Sequence, residues 1–167
     1  MKNWILGALI SSALTASVSQ SSLSVSKIQK GNWNLAGSAG GGYSTGGIGF
    51  NANLDISTMH YVADRIALGM DTSLYYATGY NQIFGYVGPS VQYNFYNNDL
   101  LTTYVKLSYL TDITRPLEKN LFRGDLGADF WLGKNFSLGP YLRTTYAFDH
   151  YTPFMHTTLG GKLGINF

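Results

Sequence analysis

The sequence predicts a transmembrane β-barrel, and three observations lead to this fold class. Charged residues make up only 12% of the 167 residues, about half the share of a soluble domain, whereas aromatic residues reach 15%. The mean hydropathy is −0.02, and beyond the N-terminus no apolar run approaches the roughly 18 residues that a spanning helix needs. From Gly31 onward, polarity alternates residue by residue in segments of about ten residues, as in barrel strands.

The first residues of the chain have the pattern of a secretory signal. Lys2 supplies a positive charge, Trp4 to Leu14 is a short apolar stretch, and small residues follow it. A buried N-terminal helix is the alternative, but it seldom combines a basic start with such an end. We therefore predict a signal peptide over 1–19, a loose polar lead-in over 20–30 and one barrel domain over 31–167.

Eight segments alternate with a period of two, which is typical of strands with one polar and one apolar face. The sixth segment is the clearest, because Phe122, Leu126 and Phe130 share one face. Arg123 and Asp125 share the opposite face. In chain order, the predicted strands cover 32–43, 48–60, 66–77, 85–96, 101–112, 121–132, 136–148 and 156–167.

The connections between these segments are of two kinds. Tight turns are predicted at 62–65, 97–100 and 133–135, and longer loops at 78–84, 113–120 and 149–155. The first loop on the longer side, Ser44 to Gly47, is short. Bacterial barrels have their short turns in the periplasm. This orientation predicts Asp64, Asp99 and Lys134 on the periplasmic side and Tyr80, Glu118 and Tyr151 outside.

Two prolines fall inside predicted strands, where a proline removes a hydrogen bond of the ladder. Pro89 and Pro140 each follow a glycine. We therefore expect a bulge or a local bend at both positions.

The apolar faces carry aromatic residues at two heights, with aliphatic residues between them. A soluble lipocalin-like barrel would bury these faces, but it has no reason to sort aromatic residues by height, whereas amphipathic rings settle at the two surfaces of a membrane. One girdle comprises Tyr43, Phe50, Tyr76, Tyr109, Phe122, Tyr146 and Phe148. The other comprises Trp33, Tyr93, Phe95, Phe130 and Phe136. The alternation therefore predicts an apolar exterior facing lipid.

Three stretches carry a resemblance to a known family. Leu163, Ile165 and Phe167 form a pattern similar to the C-terminal signal that the barrel-assembly machinery recognises. The runs 61–69 and 88–95 resemble strand–turn–strand signatures of the generic outer-membrane β-barrel family. The chain thus resembles the small eight-stranded barrels, which include the OmpA transmembrane domain and OmpX.

The resemblance implies an all-β, eight-stranded antiparallel up-and-down barrel in the bacterial outer membrane. It implies a monomer surrounded by outer-membrane lipids and lipopolysaccharide, with the barrel-assembly machinery as a partner during biogenesis. It says little about activity, because this family shares a scaffold rather than a reaction.

Enzymatic chemistry has weak support in the sequence. His150-x-Thr152 and His156-x-Thr158 have the spacing of a PagL-like lipid A deacylase, but they carry threonine where that enzyme has serine. Three scattered histidines without cysteine predict no metal site, and dispersed basic residues predict no nucleic-acid partner. We expect no enzyme and no cofactor.

The polar faces place charges inside the barrel, and their signs balance. Six of them are expected at one height, with Arg123 above and Asp129 below. The six are Asp55, Asp71, Lys106, Asp125, Arg143 and Lys162. Because buried charges without partners are costly, the balance predicts a paired network that closes the lumen. The alternative is a narrow water-filled channel for small solutes.

The expected role is structural or interactive, with the loops 78–84, 113–120 and 149–155 as the contact surface. Nothing in 79–84 or 115–120 has a recognisable binding chemistry, so the sequence does not identify a partner for these loops. The competing functions are a narrow channel and a lipid A-modifying enzyme.

Overall fold

The computed structural model describes residues 28–44, 49–78, 81–114, 120–148 and 154–167, so the predicted signal peptide lies outside it. Eight strands form a barrel in which each strand pairs antiparallel with its neighbours in the chain and the last strand pairs with the first. They are β1 (Trp33–Ser44), β2 (Gly49–Ala63), β3 (Ile66–Ala77), β4 (Gln82–Asn97), β5 (Leu101–Asp112), β6 (Asn120–Trp131), β7 (Phe136–Phe148) and β8 (Phe154–Asn166). The predicted all-β, up-and-down barrel is confirmed.

The barrel has two distinct ends. The connections 64–65, 98–100 and 132–135 lie at one end, which we call the turn end. At the other end, which we call the loop end, β1, β3, β5 and β7 finish and β2, β4, β6 and β8 begin. Among the described residues, no helix is long and apolar enough to cross a membrane.

Three strands, β3, β5 and β7, have the predicted bounds, but β4 begins earlier than predicted. Tyr76 pairs with Ile83 and Ala77 with Gln82, so the ladder continues into the segment that was expected to be a loop. The connection is therefore only 78–81, and it ends at Asn81, whose φ is 47°. Asparagine tolerates this left-handed conformation better than most residues. The longer loop predicted at 78–84 was wrong.

The strands are strongly staggered around the barrel. Asn166 of β8 pairs with Asn34 of β1, and following the paired residues once around the barrel leads back to β8 at His156. The displacement is ten residues along β8. For eight strands this stagger corresponds to a tilt of about 40°, within the usual range for barrels. Residues equally far from a turn on different strands therefore lie at different heights.

The two prolines do not form bulges. On either side of Pro89, the pairs Val87–Thr111 and Ser90–Ser108 keep the same register, and the ladder only skips the residues between them. Pro140 itself stays paired with Gly161. The register shifts instead at Tyr61/Ala63 and at Asn94/Tyr96. Of the two expected alternatives, the bulge is therefore wrong at both positions, and the local bend stays a prediction.

The glycine before each proline explains the local geometry. A Cβ atom built at Gly88 would lie 1.9 Å from the carbonyl oxygen of Tyr109, and one at Gly139 would lie 1.6 Å from that of Ala128. Only glycine permits such a close approach of two backbones in a sheet. Each Gly-Pro pair thus marks a place where the strand comes close to its neighbour, and the proline ring faces outward.

The start of the described chain differs from the loose lead-in that we expected. Ile28 exposes only 2% of its surface and belongs to a buried cluster at the turn end. Residues 20–27 lie outside the described part of the chain.

Candidate functional site

The lumen holds the charged residues that the sequence places on the inner faces. Each of the eight residues exposes at most 7% of its surface. They are Asp55, Asp71, Lys106, Arg123, Asp125, Asp129, Arg143 and Lys162. Isolated charges at this burial would be strongly unfavourable, so their stability depends on how they pair.

Arg143 of β7 joins two carboxylates on different strands. Its Nε and Nη2 donate to Asp125 at 2.7 and 2.8 Å, a bidentate pair, and its Nη1 donates to Asp55 at 2.5 Å. Asp55 also accepts a hydrogen bond from Arg123 Nη1 at 3.1 Å. Because β2 and β6 are opposite each other in a ring of eight strands, the contact between Asp55 and Arg123 spans the lumen.

Lys106 extends the same chain of contacts toward β3. Its Nζ lies 3.0 Å from Asp71 and 3.6 Å from Asp125, and Ser108 donates to Asp71 at 2.6 Å. Six charged residues are therefore connected without a break. In the order of their contacts, this central network comprises Asp71, Lys106, Asp125, Arg143, Asp55 and Arg123. Its three acids and three bases give it a formal charge of zero.

Lys162 forms a separate pair outside the central network. Its Nζ lies 2.7 Å from Asp129 and 3.9 Å from the centre of the Tyr104 ring. The expected layer contained Lys162 and left Arg123 above it, whereas the structure joins Arg123 to Asp55 and Lys162 to Asp129. The stagger of the strands accounts for the difference, because it changes the relative heights that we counted from the turns.

Between the central network and the Lys162–Asp129 pair, a row of paired residues alternates tyrosine with glycine. Tyr104 pairs with Gly127, Gly127 with Tyr141, and Tyr141 with Gly160. A Cβ at Gly127 would lie 2.4 Å from the Tyr104 ring, and a Cβ at Gly160 would lie 2.5 Å from the Tyr141 ring. Each tyrosine ring thus occupies the space over the glycine beside it. This tyrosine–glycine row was not predicted from the sequence.

Buried apolar clusters lie at both ends of the lumen. At the loop end, the buried cluster comprises Tyr75, Ala77, Phe84, Tyr86, Leu110, Leu121 and Ala147. At the turn end, it comprises Ile28, Met59, Tyr61, Ala67 and Trp131. Between the loop-end cluster and the central network, a cavity lined by Asn53, Arg123, Thr145 and His156 has room for about one water molecule.

The exterior has the opposite character. Phe50 and Phe122 near the loop end expose 52% and 45% of their surfaces, and Trp33 and Phe136 near the turn end expose 49% and 51%. The other described girdle aromatics, Tyr93, Phe95, Tyr109, Phe130 and Tyr146, also face outward, and Tyr76 is half-buried. The side chains of Tyr43 and Phe148 lie outside the described part. Aliphatic residues such as Leu126 occupy the belt between the girdles.

The sequence-predicted assembly pattern also lies on the outer surface. Leu163 and Phe167 are exposed, and Ile165 between them is half-buried. The backbones of Phe167 and Trp33 exchange two hydrogen bonds of 2.8 and 3.0 Å. These bonds join the last described residue to the start of β1.

The residues weighed as catalytic candidates lie inside the barrel. His156 and Thr158 are buried side by side on β8, and the Thr158 hydroxyl donates to Asn51 at 3.4 Å. A lipid substrate would have to enter the lumen to reach them. His150 and Thr152 lie outside the described residues. Within the described residues, no group of three His, Cys, Asp or Glu side chains is placed to hold a metal ion.

Several solved barrels share this fold. The N-terminal β-barrel domain of Pseudomonas aeruginosa OprF matches with a TM-score of 0.60 at 14% identity, over 83% of this chain and 98% of that one. Neisserial surface protein A matches over the same shares, with a TM-score of 0.59 at 15% identity. A de novo designed transmembrane β-barrel also matches over 83% of this chain and 98% of its own, with a TM-score of 0.52 at 15% identity.

No protein-family model matches the chain, and no curated protein matches it. At these identities the structural likeness shows the fold alone. That fold is the eight-stranded β-barrel of outer-membrane proteins.

Proposed function

We propose that the chain is an integral protein of the bacterial outer membrane with a closed lumen and a structural or surface-interaction role. It is a monomer, surrounded by outer-membrane lipids and lipopolysaccharide, and the barrel-assembly machinery inserts it. The turn end faces the periplasm, as short turns do in bacterial barrels. The loop end forms the contact surface outside the cell.

The membrane assignment rests on one observation: the outer surface of the barrel is apolar, whereas its interior is charged. Leu54, Leu126 and Leu163 expose more than half of their surfaces on the outside, whereas the lumen buries six charges in one network. A water-soluble barrel would show the reverse, with an apolar interior and a charged exterior. Only an apolar solvent makes this outer surface favourable, and the aromatic girdles fit the two boundaries of a lipid bilayer.

The central network supports the closed lumen. Arg143 uses three of its hydrogen-bond donors on two carboxylates, and Arg123 reaches Asp55 from the opposite wall. Opening a path between these residues would expose partnered charges or leave one of them unpaired, at a cost of several kcal/mol. Because opening the lumen would cost this much free energy, we infer that the lumen is closed in nearly all molecules at equilibrium.

Fractionation of cell envelopes tests the membrane assignment. We expect the protein in the outer-membrane fraction, resistant to extraction by urea and by alkaline carbonate. A protein that is recovered in the soluble fraction, or is released by either wash, would contradict the proposal. OmpA-type barrels of the same cells serve as the control for the fractionation.

One observation favours a second function, a narrow conduit for small solutes. Asn51 Nδ2 and Asn53 Oδ1 are buried, and neither has a hydrogen-bond partner among the described residues. Both belong to the part of the lumen between the central network and the loop end, where water could satisfy them. A conduit requires this water to continue past the central network, and conductance distinguishes the two functions.

A further inference from the structure

A short segment at the start of the described chain turns back into the barrel. We propose that residues 28–32 form a stopper that seals the turn end of the lumen independently of the central network. The side chain that seals the mouth is Ile28. We expect the segment to be displaceable, because its hydrogen bonds to Tyr61 and Asp64 lie at the turn end of the barrel.

The pocket that receives Ile28 is apolar and fully formed. Met59, Tyr61, Ala67 and Trp131 surround it, and none of them exposes more than 6% of its surface. They come from three strands, β2, β3 and β6, so the pocket spans the mouth of the barrel. An apolar pocket facing water is unfavourable when empty, and an isoleucine side chain removes that surface from water.

Hydrogen bonds fix two walls of the pocket. Trp131 Nε1 donates to the Thr102 hydroxyl at 2.9 Å, which fixes the indole against the neighbouring strand β5. Gln92 Nε2 donates to the Tyr61 hydroxyl at 3.3 Å. Two of the side chains that line the pocket are therefore held in place by hydrogen bonds to the barrel wall.

The backbone of the segment is held at the end of β2. Gly31 N donates to Tyr61 O at 2.7 Å, and Asn32 O accepts from Tyr61 N at 2.9 Å. Lys30 N donates to the Asp64 carboxylate at 3.2 Å. Gly31 has a φ of 95°, a conformation that favours glycine and that reverses the chain toward the mouth.

These attachments involve no member of the central network. The segment bonds to Tyr61 and Asp64, whereas Arg123 and Arg143 both bond to Asp55 deeper in the lumen. Loss of the Ile28 side chain should therefore open the turn end while the central network stays intact.

Cysteine reactivity provides the test, because the natural chain contains no cysteine. Ala67→Cys places a reporter in the stopper pocket, and Thr145→Cys places a second reporter in the lumen between the central network and the loop end. Both positions are at most 1% exposed. The full-length protein, purified in detergent, is treated with a small charged thiol reagent, and the modification rate is measured at each reporter.

With Ile28→Ser, we expect the modification rate of the pocket reporter at position 67 to rise at least tenfold. The rate of the lumen reporter at position 145 should stay unchanged. The matched control is Gln29→Ser, which changes the adjacent exposed residue and should leave both rates unchanged. Gly31→Ala, which disfavours the reversal of the chain, should raise the rate of the pocket reporter several-fold.

An unchanged rate of the pocket reporter in Ile28→Ser would overturn the stopper. An equal rise at the lumen reporter would also overturn it, because it would show that the whole barrel has loosened. If Ala67→Cys itself prevents folding, Met59→Cys reports from the same pocket, with the same two outcomes.

Discussion

Arg143 is the residue on which the central network depends most. It contributes three of the hydrogen bonds in the network and links Asp55 to Asp125. The planar guanidinium allows a bidentate contact with one carboxylate and a further bond to another, which an ammonium group cannot reproduce. Its removal would divide the network and leave more acid than base in the lumen.

We expect Arg143→Ala to destabilise the folded barrel by about 3–5 kcal/mol, because it leaves a buried acid without its partner. Unfolding by urea in lipid vesicles measures this difference. Thr144→Ala, at the adjacent outward-facing position, is the control and should change the free energy of unfolding by less than about 0.5 kcal/mol. An Arg143→Ala variant that unfolds at the urea concentration of the parent would contradict the buried network.

At the scale of the strands, the tyrosine–glycine row leaves space for an added Cβ atom at some glycines and none at their neighbours. Gly160 and Gly161 are adjacent on β8, but a Cβ at Gly160 would meet the Tyr141 ring and the carbonyl oxygen of Ala39 at 2.5 Å. A Cβ at Gly161 would meet no atom within 4 Å.

Gly160→Ala should therefore destabilise the barrel by about 1–3 kcal/mol through overpacking. Gly161→Ala is the matched control, since it changes the same residue type on the outward face, and it should be neutral or slightly stabilising. Urea unfolding of the two variants in parallel makes the comparison. Equal effects of the two substitutions would show that Tyr141 does not occupy the space over Gly160.

The strands were largely predictable because their alternation is a local property of the sequence. β3, β5 and β7 have the predicted bounds. The start of β4 was missed because Ile83 and Phe84 follow a turn signal, and only their pairing with β3 shows that they belong to the sheet.

The inward position of the charges was also predictable from alternation, but their pairing was not. The contact between Arg123 and Asp55 and the contact of Tyr141 with Gly160 depend on the register between strands that are distant in the sequence. That register follows from the stagger of the whole barrel, to which every turn contributes. The period-two pattern identifies the face of a residue and leaves its height undetermined.

At the scale of the whole molecule, the proposed orientation can be tested on intact cells. We predict that a cysteine introduced in place of Lys134, in a connection of the turn end, is protected from a membrane-impermeant maleimide. A cysteine in place of Glu118, in the segment between β5 and β6, should be labelled. The absence of natural cysteine makes the unmodified chain the background control. Labelling at position 134 but not at 118 would reverse the orientation.

Buried side chains occupy the lumen at three levels: an apolar cluster near the loop end, the central network, and the turn-end cluster with Ile28. The three levels share strands, β3 and β6 among them, but they have no residue in common. The proposed closure therefore does not depend on one residue. We therefore expect that no ions pass through the lumen.

Conductance across a planar lipid bilayer tests most directly whether ions pass through the lumen. The unmutated protein is reconstituted, and its insertion is verified by recovering folded barrel from the same lipid preparation. We predict that the current stays at the level of the protein-free bilayer over the whole range of applied voltage. Steady ion current through the inserted, unmutated barrel would contradict the closed lumen and would favour the narrow conduit.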